Sequence, residues 1–104
     1  MDAALDLPLL LFFTSERSGP GRRMESLLAH LARKERGRLR VSRVDVEKAR
    51  ELADRLDVAD VPTLVLFRER QVVARLDGRA SAPSIERMLA PHLTSAPASE
   101  LEPV

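Results

Sequence analysis

At 104 residues the chain is long enough for one hydrophobic core and too short for two. A formal net charge of +1, with 44% apolar and 32% charged residues, supplies no global field that would draw it to nucleic acid or an anionic membrane. The complete absence of cysteine excludes a disulfide framework, a thiolate nucleophile and a thiolate metal site.

The first residues do not read as a secretory signal, because Asp2 and Asp6 stand where such a signal carries positive charge. No stretch approaches the roughly 18 apolar residues of a membrane span. The expected location is the cytoplasm, by default. Leu9 to Phe13 is a continuous apolar run and predicts a strand buried on both faces. Ser, Gly and Pro then interrupt the chain, and Met24, Leu27, Leu28 and Leu31 repeat at helical spacing. Arg33, Lys34 and Arg36 complement the dipole in the last turn, and Gly37 is the expected C-cap. Leu39 to Val46 reads as the second strand. Asp45 or Glu47 is expected to open a second helix with Leu52, Ala53 and Leu56 inward, its outer face paired as Glu51–Arg55 and Arg50–Asp54. Thr63 to Phe67 and Val72 to Leu76 flank a polar turn and predict a hairpin. Ser81 and Pro83 start a last helix carrying Ile85, Met88 and Leu89 on its core side. Residues 1–93 thus form the expected domain, and the composition of 94–104 predicts a mobile tail. The order β-α-β-α-β-β-α predicts an α/β fold, a mixed sheet with helices on its faces.

Two junctions narrow this class. Arg17-Ser18-Gly19-Pro20-Gly21-Arg22 joins the first strand to the first helix, and Val61-Pro62-Thr63 precedes the third strand. Both resemble the thioredoxin family, whose junctions read Trp-Cys-Gly-Pro-Cys-Lys and Ile-Pro-Thr, the latter with a cis proline. The spacings from Ser18 to Pro62 and from Pro62 to Gly78 fit the family without a gap, and the resemblance runs from about Leu9 to Leu93. Only about eight residues precede the first strand, so the resemblance implies that the family's N-terminal strand and helix are lacking.

The departures concern the chemistry. Ser18 and Gly21 stand in place of the two cysteines, Arg17 in place of the tryptophan, and Phe12 in place of the buried acid. Arg43, in place of that acid's lysine partner, is left without its usual carboxylate. The resemblance therefore implies a redox-inactive member that is not an enzyme, since a serine hydroxyl stays protonated where thiol exchange needs a thiolate. Cysteines returned to positions 18 and 21 would be expected to lie one helical turn apart at a helix N-terminus and to oxidise readily.

What remains is recognition. Ser18 is expected to cap the first helix. In the family the backbone of the residue before the cis proline pairs with an extended substrate segment, so the resemblance implies a groove made of Arg17, Gly19 and Pro20, of Asp60, Val61 and Pro62, and of Asp77, Gly78 and Arg79. Its expected occupant is a protein or extended peptide segment. Arg17, Arg22 and Arg23 are placed to hold an anionic group near the helix N-terminus, with Asp60 and Asp77 blunting the charge of Arg17 and Arg79. The alternatives are a small-molecule, glutathione-like ligand and a structural role within a larger complex. No cofactor is implied. His30 and His92 are isolated and lack metal-ligand spacing. The basic run from Arg33 to Arg43 lacks the aromatic interleaving of a single-strand nucleic-acid surface, with three Phe and no Tyr or Trp in the chain.

Overall fold

A computed structural model of the chain describes residues 7–93. The tail expected over 94–104 and the first six residues of the expected domain lie outside the described residues. The elements follow the predicted order: β1 (Leu9–Thr14), α1 (Gly19–Lys34), β2 (Arg40–Asp45), α2 (Arg50–Arg55), β3 (Thr63–Arg68), β4 (Gln71–Asp77) and α3 (Ala82–Leu89), closed by a 3-10 turn over Ala90–His92. The strands make one mixed sheet in the order β2-β1-β3-β4. β1 runs parallel to β2 and antiparallel to β3, and β3 runs antiparallel to β4.

The unbroken apolar run of β1 follows from its central place. Successive side chains of a strand point to opposite faces, so a strand covered on both sides needs apolar residues throughout. Leu10 and Phe12 enter one core with Leu28 and Leu31 of α1, Leu64 and Leu66 of β3, and Ile85 and Leu89 of α3. Leu11 and Phe13 enter a second, smaller core with Val65 and Ala53 of α2. Helices α1 and α3 thus cover one face together, and Lys34 pairs with Glu86 between them at 3.2 Å. Helix α2 covers the other face alone.

Three local expectations are corrected. Helix α2 begins at Arg50 rather than near Asp45 or Glu47. Asp45 holds a turn instead: its carboxylate accepts from the Glu47 N–H at 2.9 Å and its carbonyl accepts from Lys48 and Ala49. Ala49 then precedes the helix without any side-chain cap, and neither Glu51–Arg55 nor Arg50–Asp54 is among the ion pairs of the described residues. Helix α1 is capped at Glu35, and Gly37, with φ of +88°, takes the left-handed position in the turn that follows. Among the described residues no helix is long and apolar enough to cross a membrane.

Candidate partner-binding groove

The register brings the three proposed segments to one end of the sheet. Phe13 near the end of β1 lies opposite Thr63 at the start of β3, and Thr63 lies opposite Asp77 at the end of β4. The loops that leave these positions carry Arg17 to Pro20, Asp60 to Pro62, and Asp77 to Arg79.

The first segment is fixed by its own hydrogen bonds. The Ser15 carbonyl accepts from the Ser18 N–H at 3.1 Å, and the Ser15 hydroxyl accepts from the Arg17 N–H at 3.3 Å. Ser18 has extended backbone angles, and its Oγ accepts from the Gly21 N–H at 2.9 Å, satisfying one of the free donors of the first turn. The serine is the expected cap. Arg17 and Gly19 are exposed, while Ser18 and Gly21 are buried. Arg22, near the positive end of the helix dipole, donates to the Glu16 carbonyl at 3.1 Å and ties the loop to the helix instead of reaching outward.

Gly21 is buried for a reason the sequence does not display. A Cβ there would collide with the hydroxyl of Thr14 and would stand 2.9 Å from Ser18 Oγ and 3.1 Å from Ser18 Cβ. Thr14, at the end of β1, is fully buried. The space a side chain would need at position 21 is therefore filled by the threonine and the capping serine. Cysteines returned to 18 and 21 would therefore need Thr14 to move before the second thiol fits.

The second and third segments are hydrogen-bonded to each other. The Val61–Pro62 bond is cis, Pro62 is buried, and its carbonyl accepts from the Gly78 N–H at 2.8 Å. Gly78 has φ of +87°, where a side chain would be strained. Thr63 Oγ1 donates to the Asp60 carbonyl at 2.7 Å and closes the loop from the other side. Val61 is half-buried, and neither its N–H nor its C=O makes a hydrogen bond within the described residues. No hydrogen bond among the described residues joins the first segment to the other two.

Charge at this end differs from expectation. Asp77 does not blunt Arg79 freely, because its Oδ1 accepts from Arg75 Nε at 3.2 Å and Nη2 at 3.0 Å. The same guanidinium donates to the carbonyls of Leu56 at 2.8 Å and Asp57 at 3.2 Å, so it caps the C-terminal end of α2 and ties it to β4. Among the described residues Arg17, Arg79 and Asp60 take part in no ion pair. Arg75→Ala removes these bonds from a side chain one-third exposed, and should lower stability by about 1–2 kcal/mol in a urea titration. A midpoint equal to wild type would mean that the guanidinium caps nothing.

The remaining expectations are placed as follows. Phe12, 2% exposed, is a core residue. Arg43 does find a carboxylate: its Nε donates to Glu25 Oε2 of α1 at 2.6 Å, in an exposed pair. His30 is exposed on α1 and His92 half-buried in the 3-10 turn, and no group of acidic or histidine residues among those described could hold a metal ion. Sequence reasoning missed Thr14 and Arg75. A signal for Arg75 was present, an arginine inside an apolar strand with a carboxylate two residues on, hence on the same face.

The model of the thioredoxin family matches residues 3–91. The chain belongs to the thioredoxin family. It is 36% identical over 78 residues to Thioredoxin-1 of Drosophila melanogaster, covering 75% of this chain and 73% of that one. It is 33% identical over 87 residues to the TPR repeat-containing thioredoxin TDX of Arabidopsis thaliana, matching 84% of this chain but only 22% of that longer protein. Among solved structures, the germline-specific thioredoxin Deadhead of Drosophila melanogaster superposes with a TM-score of 0.79 at 33% identity, over 86% of this chain and 85% of that one. A malarial protein at 22% identity, with a TM-score of 0.76 over 85% of this chain and 99% of that one, shares the fold.

Proposed function

We propose that this thioredoxin domain is redox-inactive and serves to hold an extended segment of a partner protein. The observation that carries the reading is the Val61 backbone. Among the described residues its N–H and C=O have no hydrogen-bond partner, and at the same end of the sheet the first-helix junction has no thiol and a filled space at position 21. An extended chain laid beside Val61 would satisfy both groups, in the manner of strand addition. Arg17 and Arg79 stand on the loops at the same end of the sheet, and with Asp77 engaged by Arg75 the balance favours a segment carrying acidic residues. Backbone pairing supplies most of the affinity, and the arginines a salt-sensitive part.

Two measurements test this. The protein should not accelerate the reduction of insulin by dithiothreitol; turnover above buffer in a preparation free of other thioredoxins contradicts redox inactivity. With a partner captured from the source cell, Arg17→Glu combined with Arg79→Glu should weaken binding about tenfold or more, while Arg33→Glu with Arg36→Glu should not. The reverse pattern would place the binding face at the C-terminal end of α1.

A further inference from the structure

At the end of the sheet opposite the groove, no helix or loop of the described residues covers an apolar surface. The register sets Arg40, Leu9, Phe67 and Val72 side by side across β2, β1, β3 and β4. Directly paired residues share a face, and Leu9 and Phe67 pack against the core beneath α2. Helix α2 is only six residues long and is tied by Arg75 to the other end of the sheet. Among the described residues the row is therefore open. Leu9 and Phe67 are half-buried and Val72 is 45% exposed. Leu9 and Phe67, with Leu7, Leu11, Arg40 and the hairpin turn, line a shallow depression of about 590 Å³, and Val72 is paired with Phe67 beside it.

The turn is Glu69-Arg70, and its backbone is unusual for these residues. Their φ angles are +55° and +68°, two successive left-handed positions that asparagine and glycine fill at less cost. Among the described residues no ion pair engages Glu69, Arg70 or Arg40. Unpaired charges of both signs thus stand at the rim of an exposed apolar row. A rim of one sign would suit an oppositely charged partner, whereas a rim with both signs is complementary to itself, as a twofold interface requires.

We propose that this face pairs with a second copy of the chain about a twofold axis. The apolar rows meet, and Glu69 of each copy lies against Arg70 or Arg40 of the other. The surface is small, so the dimer is weak, with a dissociation constant on the order of 0.1 mM. It leaves the groove at the opposite end of the sheet free.

Sedimentation equilibrium of the full chain tests this. The apparent mass should rise from the 11.6 kDa of one copy toward twice that value as concentration passes through the dissociation constant. Arg70→Glu and Val72→Glu, both at exposed positions, should each weaken association about tenfold or more. Exchanging the charges, Glu69→Arg with Arg70→Glu, should regain most of what Arg70→Glu loses. Glu69→Asn with Arg70→Gly should raise the melting temperature by several degrees while weakening association, because it relaxes the turn and removes the charges. A monomer at every concentration overturns the proposal. So does association that survives both Arg70→Glu and Val72→Glu, or a charge exchange that regains nothing.

Discussion

Gly21→Ala should lower stability by about 1–3 kcal/mol, the usual cost of forcing atoms into a filled site. Ordinary helix propensity predicts the opposite sign, since alanine in place of helical glycine gains about 1 kcal/mol. The two effects can be separated because the nearest obstacle, ahead of the capping Ser18, is one named side chain. Thr14 is fully buried at the end of β1, and its hydroxyl occupies the place of the new Cβ. Thr14→Ala in the same chain should restore most of the loss, giving a coupling of about 1 kcal/mol or more in a double-mutant cycle. The same interlock governs any attempt to return the thiols. Ser18→Cys with Gly21→Cys should be destabilised and slow to oxidise, and adding Thr14→Ala should allow the disulfide to form. Additive effects of the single substitutions would show that the threonine turns aside freely, and the interlock would then be absent.

Phe12→Asp, which returns the acid the resemblance implies at this position, should cost about 4–5 kcal/mol at pH 7. Removing a buried phenylalanine ring alone costs about 3–5 kcal/mol, and a carboxylate among Met24, Leu28 and Leu64 adds a desolvation penalty. Against a total stability of roughly 5–15 kcal/mol, the variant is marginal or unfolded. The sign with pH follows from burial, which favours the neutral acid and so raises its folded pKa above the unfolded value. Stability is greatest below the unfolded pKa, and is lost as pH rises through the folded one. The variant should therefore withstand urea better near pH 4 than near pH 7, relative to wild type at each pH. Arg43 is the one cation across the strand pair at this position, and it is engaged by Glu25. A variant as stable as wild type at pH 7 would mean that Arg43 leaves Glu25 and that the core reorganises around the pair.

Much of the fold was legible because the strands obey simple rules. The five apolar residues from Leu9 to Phe13 have one stable setting, a strand covered on both faces, and the structure places cores on both sides of it. The junction at Ser18 was legible because a serine before Gly-Pro at a helix start has a local role, and the cap is made by atoms three residues apart. Helix α2 was misplaced at its start because Asp45 can serve a cap or a turn equally well on local grounds, and three backbone N–H groups decided for the turn. The obstruction at Gly21 was not legible, because it depends on a residue of the preceding strand folding back within reach. Neither was the capping of α2 by Arg75, since the carbonyls of Leu56 and Asp57 lie far away in sequence and only its pairing with Asp77 has a local signal. The open row of Leu9, Phe67 and Val72 belongs to three strands and appears only once their register is known.

The central claim is that this thioredoxin domain binds a partner through the groove at Val61, and site-specific photo-cross-linking tests it most directly. A photoreactive side chain placed in turn at positions 17, 79 and 36, in an extract of the source cell, reports which surface the partner touches. The groove reading predicts the same covalent adduct from positions 17 and 79 and none from position 36. An adduct from position 36 alone would contradict it, and would move recognition to the far end of α1.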